Sequence, residues 1–155
     1  MKFEDVLGDF SEKIGIGRLE LDADGSVALL FDDLYEITFT QDEDDVSLLM
    51  YSEIADASRL EKEDLARLMK ASLLGAETGG AAFGIHEPLR KIVLWKRHDN
   101  SFDSVADLEN RVNAFLAQVI FWKKHYEDRP CETEEKQNPA SSAPKYGLDY
   151  QAMPV

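Results

Sequence analysis

The sequence predicts an α+β domain in the order helix, three-stranded antiparallel meander, helix, two strands, helix. Three patterns carry this expectation. Apolar residues recur at spacings of three and four over residues 3–14, 60–74 and 105–122, the period of a helix with one buried face. Between the first two stripes lie three runs rich in β-branched, aromatic and aliphatic residues, Val27–Phe31, Tyr35–Thr40 and Val46–Tyr51, parted by short acidic turns. Two shorter runs, Ala81–Phe83 and Ile92–Trp95, fall between the second stripe and the third.

The first stripe is Phe3, Val6, Leu7, Phe10 and Ile14, with Glu4, Asp5, Asp9, Glu12 and Lys13 on the other face. Gly15 and Gly17 end it, because glycine accepts the left-handed conformation that closes a helix. Leu19 and Leu21 then alternate with Glu20, and Asp22-Ala23-Asp24-Gly25 supplies turn chemistry, so a hairpin onto Val27–Phe31 is expected. Asp32-Asp33 and Asp42-Glu43-Asp44-Asp45 separate the strands of the meander. Ser58, followed by Glu61 three residues later, has the spacing of a capping box. It opens a helix through Leu60, Leu65, Leu68, Met69, Leu73 and Leu74 to Gly75. Glycines at 75, 79, 80 and 84 and the turn near Pro88 frame the two later strands. Ser104 with Asp107 opens the last helix, whose stripe is Val105, Leu108, Val112, Phe115, Leu116, Val119, Ile120 and Trp122.

At 155 residues the chain fits one domain with a tail. Residues 1–127 form the domain. From 128 to 155 the sequence changes to a polar stretch with Pro130, Pro139, Pro144 and Pro154 and no helical apolar face, and it is expected to be a flexible tail. Tyr146, Leu148, Tyr150, Met153 and Val155 are the residues by which that tail could dock. No apolar run approaches the roughly 20 residues that span a bilayer, so no membrane insertion is expected. The acidic N-terminus is unlike a signal peptide and a lone Cys131 cannot form an internal disulfide; both point to a reducing cytoplasm.

The net charge of −14 disfavours nucleic acid as a partner. The charge is uneven: residues 1–64 hold 19 acidic and 5 basic side chains, whereas residues 65–127 hold 7 and 9. A basic partner would be steered toward the first half.

No catalytic constellation is visible. His86, His98 and His125 lie in three different elements without a neighbouring nucleophile motif. Asp22-x-Asp24-Gly25 begins like a calcium loop, but its glycine comes two positions early and Asp33 stands where the twelfth-position glutamate belongs. Gly75–Gly80 lacks the Gly-Lys-Ser/Thr ending of a phosphate loop. No metal, cofactor or enzymatic activity is therefore expected.

Two stretches carry a resemblance. Leu65-Ala66-Arg67-Leu68-Met69-Lys70-Ala71-Ser72-Leu73-Leu74-Gly75, followed by Thr78-Gly79-Gly80-Ala81-Ala82-Phe83-Gly84-Ile85, resembles the leucine-rich helix and the Gly/Thr/Ala-rich entry to a strand in class I type III secretion chaperones, the Tir chaperone family. Ile92–Arg97 is similar to that family's next strand, and Phe115-Leu116-x-x-Val119-x-x-Trp122 to its final helix. The order of elements over residues 3–127 is similar as well. Ala71-Ser72 departs from the asparagine frequent in the family near this helix end.

The resemblance implies a homodimer of secretion-chaperone-like fold in the bacterial cytoplasm. It implies a dimer interface at Leu65, Leu68, Met69 and Leu73 of the second helix. It also implies that an extended segment near the N-terminus of a secreted effector wraps the dimer, contacting Phe3, Val6, Leu7, Phe10 and Ile14. Leu7 and Phe10 are then expected to lie partly in an exposed patch. The alternative is a dimeric regulatory or adaptor module that binds a folded secretion-system protein, with a secretion ATPase as a candidate partner.

Overall fold

The computed structural model describes residues 1–127; the expected tail, residues 128–155, lies outside the described residues. Helix α1 spans Phe3–Lys13. Its entry is fixed by the Lys2 amide, which donates to the Asp5 carboxylate at 2.8 Å, satisfying one of the backbone groups that a helix start leaves open. Four of the five stripe residues, Phe3, Val6, Leu7 and Phe10, are buried, and Ile14 caps the helix end partly exposed.

The hairpin expected from Leu19 and Leu21 does not form. Residues 14–25 run as a connection in which the Leu19 amide donates to Ser11 Oγ at 2.9 Å instead of to a partner strand. The Asp22 carboxylate accepts from the Asp24 and Ser26 amides. This local turn leaves a single Asp22 N–H to Ser26 C=O bond where a ladder would have begun.

The meander is present as β1 (Ser26–Phe31), β2 (Tyr35–Gln41) and β3 (Ser47–Asp56), all antiparallel. Strands β4 (Ala82–His86) and β5 (Lys91–Asp99) complete the sheet, and β5 inserts beside β3 to give the order β1-β2-β3-β5-β4. β1 and β4 are therefore the edges.

Helix α2 spans Lys62–Ser72 and begins later than the Ser58 cap implies. Asp56 takes the Ser58 amide and hydroxyl to itself, which closes a 3₁₀ turn over Ala57–Arg59. The helix starts instead where the Asp64 carboxylate accepts the Glu61 amide at 2.9 Å. Helix α3 runs over Val105–Glu127, with Ser104 Oγ accepting from the Asp107 amide at 3.2 Å, as the Ser104/Asp107 pair predicts. Arg111 locks this start: it pairs with Asp107, donates to the Asp99 and Ser101 carbonyls, and lies 4.6 Å from the centroid of the Phe102 ring.

One core follows from this arrangement. The helices cover one face of the sheet, joining Phe3, Leu7 and Phe10 to Leu29, Ile37, Phe39, Met50 and Leu94, and to Leu108, Val112, Phe115, Val119 and Trp122. Phe3 stacks on Phe39 at 5.2 Å, and Phe83 meets Trp122 edge-on at 5.1 Å, aromatic geometries that add to simple burial. The other face of the sheet carries a separate cluster, Leu49, Tyr51, Val93 and Trp95.

Candidate functional site

Exposed apolar side chains gather at the two ends of the sheet order. On the α2 side, the helix turns one stripe inward and another outward. Leu68 and Ala71 are buried, while Met69 and Leu73 are 75% and 68% exposed. The chain then reverses through a 3₁₀ turn, Leu73–Gly75, in which Leu74 takes the left-handed conformation at φ 55° and is 95% exposed. A leucine in that conformation costs roughly 1–2 kcal/mol, so the turn holds a bulky apolar side chain out in water at an energetic cost. Gly75 makes the reversal possible. A Cβ there would lie 2.4 Å from Gly80 Cα, and its φ of +68° is again left-handed.

The same region is anchored to α3 and β4. Arg67 forms a two-pronged ion pair with Glu77 and lies 5.4 Å from the centroid of the Trp122 ring. Ser72 Oγ accepts the Phe83 amide of β4 at 3.0 Å. Ile85 on β4 and Phe121 on α3 are also exposed.

At the opposite end, no described strand pairs with the outer edge of β1. Leu30 on β1 and Leu34 in the β1–β2 turn are 51% and 66% exposed beside that edge. Asp32 and Asp33 form the turn with φ values of 53° and 56°, which aspartate tolerates better than most residues.

These positions correct parts of the expected site. Phe3, Val6, Leu7 and Phe10 do not form an exposed patch: each is at most 2% exposed, because α1 packs beside α3 and its side chains join the common core, Phe3 stacking on Phe39 of the sheet. Ile14 is partly buried at the end of α1, next to exposed Ile16. In the second set, Leu68 faces the core and Leu65 is packed partly against it, so only Met69 and Leu73 are open for contact with a partner. Leu30 and Leu34 were not singled out as site residues by sequence, and Leu73 and Leu74, expected on the second helix, lie in the 3₁₀ turn after its end at Ser72. Leu30 had a signal, since strand alternation puts it on the face opposite Leu29; Leu34 sits in a turn, where periodicity is silent, and for Leu74 the helical period was misleading because the helix has already ended.

The histidines remain apart. His86 is buried on β4, His98 stands on β5, and His125 is exposed near the end of α3. Burial first, and then Lys96 and Arg111, hold His98 down to about 4, so it is neutral at ordinary pH. Among the described residues no group of His, Cys, Asp and Glu is arranged to hold a metal ion, and no helix is long and apolar enough to cross a membrane. Cys131 lies outside the described residues.

The described residues thus form an α+β domain of three α-helices and five strands that leaves apolar side chains exposed at both sheet edges. The sequence model of the Tir chaperone protein (CesT) family matches residues 5–123, and the chain belongs to this family. No curated protein sequence matches it. Among solved structures it is similar to a chain of the ExsC–ExsE complex, at 21% identity and a TM-score of 0.70, over 86% of this chain and 100% of that one. A chain of the HopA1–SchA chaperone–effector complex is similar at 20% identity and a TM-score of 0.65, over 79% and 93%. A chain from the complex of the Yersinia pestis type III secretion chaperone SycH with a stable fragment of YscM2 is similar at 12% identity and a TM-score of 0.61, over 77% and 98%. These likenesses establish the fold.

Proposed function

We propose that this protein is a type III secretion chaperone that binds an extended segment of a secreted effector in the bacterial cytoplasm and keeps it competent for export. Membership of the Tir chaperone family over residues 5–123 carries the reading, and the similar solved chains come from complexes such as HopA1–SchA, a chaperone–effector complex. The geometry supports it. An open strand edge bonds the main chain of an unfolded segment without regard to sequence, and neighbouring apolar side chains supply selectivity. β1 provides such an edge, with Leu30 and Leu34 beside it. Of the α1 set, Ile14 alone is left partly exposed and is the member this reading keeps for contact with cargo; Phe3, Val6, Leu7 and Phe10 are buried in the core. Binding of this kind needs no catalytic group, and the protein is not an enzyme in this reading.

The protein acts as a homodimer joined through the outer stripe of α2. Met69, Leu73 and Leu74 contribute apolar surface that an isolated chain would leave in water, and Leu65 borders it. The adaptor alternative, a dimer that binds a folded secretion-system protein, has no specific observation in its favour.

Co-expression with tagged N-terminal segments of effectors from the same bacterium tests the reading. One segment should co-purify with the wild-type protein, and Leu30→Gln with Leu34→Gln should weaken that association while thermal stability stays unchanged. Retention of only full-length folded proteins, with no effector segment bound, would contradict it.

A further inference from the structure

The open edge of β1 is shorter than the strand itself. The Gln41 amide donates to the Gly25 carbonyl and the Leu34 amide to the Phe31 carbonyl, so the odd-numbered residues turn their main chain toward β2. Ser26, Ala28 and Leu30 therefore face outward, because main-chain groups alternate sides along a strand. Ser26 is already taken: its carbonyl accepts the Asp22 amide at 2.9 Å, and its amide donates to Asp22 Oδ1 at 2.8 Å. Among the described residues nothing takes the outward amides and carbonyls of Ala28 and Leu30. Carboxylates flank this stretch, Asp22 and Asp24 before it and Asp32 and Asp33 after it, all four exposed. No Lys or Arg occurs between Arg18 and Arg59. Arg18 itself pairs with Asp9, and Arg97 with Asp42, while no described cation forms an ion pair with Asp32 or Asp33. Lys123 of α3 lies on the helix side, 5.9 Å from the centroid of the Tyr35 ring. Glu36, opposite Leu30, is held above the ordinary carboxyl range by burial first and then by Glu53, and Lys123 offsets only part of this.

We infer that the segment received by this edge is a basic strand, with apolar residues in its middle to lie against Leu30 and Leu34 and Lys or Arg at both ends to meet Asp22 and Asp24 on one side and Asp32 and Asp33 on the other. The inference rests on the reading of β1 as the cargo edge and adds the chemistry of the cargo. Ala28 and Leu30 offer an amide and a carbonyl each, too few bonds to offset the ordering of an unfolded segment. Side chains must therefore decide which segments stay. One exposed leucine on the strand and one in the turn supply little selectivity between apolar sequences, whereas four carboxylates repel an acidic segment and attract a basic one. The six residues of β1 span roughly 20 Å, which places the flanking charges about six to eight residues apart in an extended partner. Both ends of the edge carry acid, so the charges select composition and leave the direction of the incoming strand to the pairing.

Three synthetic peptides test this, each with the core Val-Thr-Leu-Thr-Val and flanked at both ends by Lys-Lys, Ser-Ser or Glu-Glu. Fluorescence anisotropy with the full chain at low salt should rank them Lys, Ser, Glu, with the Lys-flanked peptide at least about tenfold tighter than the Ser-flanked one. High salt should narrow that gap. Hydrogen exchange of the complex should show protection at Ala28 and Leu30. Asp32→Asn with Asp33→Asn keeps side chains that accept a left-handed backbone. This variant should bring the Lys-flanked peptide down toward the Ser-flanked one and leave the Ser-flanked peptide unchanged. Glu63→Gln with Glu87→Gln removes two exposed carboxylates on the α2 and β4 side and should change neither. Equal affinity of the Lys- and Ser-flanked peptides, with β1 protected, would overturn the charge selection and keep the edge. An equal loss in both variants would reduce the effect to net charge and overturn it as well. Protection that never falls on β1 would remove the edge reading and this inference together.

Discussion

Ser72 Oγ accepts the Phe83 amide at 3.0 Å and donates to the Leu68 carbonyl at 2.8 Å, so the last turn of α2 closes part of the β4 edge. Ser72→Ala leaves that amide without its partner, which typically costs about 1–3 kcal/mol. Urea denaturation should show a loss in this range, and hydrogen exchange at Phe83 should accelerate. An unchanged midpoint would mean that water replaces the hydroxyl freely.

Two adjacent residues of α2 separate folding from assembly. Leu68 is buried and Met69 is 75% exposed. Leu68→Asp places a carboxylate in the core and should unfold the chain, because an unpaired buried charge costs several kcal/mol. Met69→Asp with Leu73→Asp should leave the circular dichroism spectrum unchanged and halve the mass measured by light scattering. A monomeric wild-type protein at tens of micromolar would remove the dimer from the account.

The burial of α1 makes its apolar residues structural. Phe10→Ala removes a core aromatic and should destabilise the fold by about 3–5 kcal/mol. Effector affinity, measured at a temperature where the variant is still folded, should change little. A large affinity loss without a stability loss would restore α1 to the binding surface.

His98 gives the protein an acid-sensitive element. Its folded value of about 4 lies below the ordinary 6.5, so below pH 6.5 the unfolded chain takes up a proton that the folded chain refuses. Stability from this group is therefore complete above pH 6.5 and falls as pH drops toward about 4. Glu36 works in the opposite sense, since its raised value favours the fold at lower pH. Urea midpoints measured from pH 7 to 4.5 should decline, and His98→Gln should flatten that decline. An identical slope in the variant would show that His98 is not its source.

The strands of the meander were legible because each is a short run of β-branched, aromatic and aliphatic residues and the turns between them are short and acidic, so Val27–Phe31 and Tyr35–Thr40 fall within a residue of β1 and β2. The insertion of β5 between β3 and β4 was not legible, since pairing across about 40 residues leaves no local trace. Leu19 and Leu21 alternate as a strand would, but Ser11 Oγ captures the Leu19 amide. For α2, a 3.6-residue period shows that Leu68 and Met69 are on a helix and cannot say which turns inward when both sides are apolar. For α1, the pattern identified the right residues and not their fate, because periodicity reads the same whether a stripe meets the core or a partner.

Native mass spectrometry of a purified chaperone–effector-segment complex, with hydrogen exchange on the free and bound segment, tests the central claim most directly. The account predicts two chains of this protein to one segment, with the segment fully exchanging when free. On binding it should become protected in an extended stretch, together with the backbone of β1. A partner that is already protected before binding, held by surfaces that leave β1 unprotected, would contradict it.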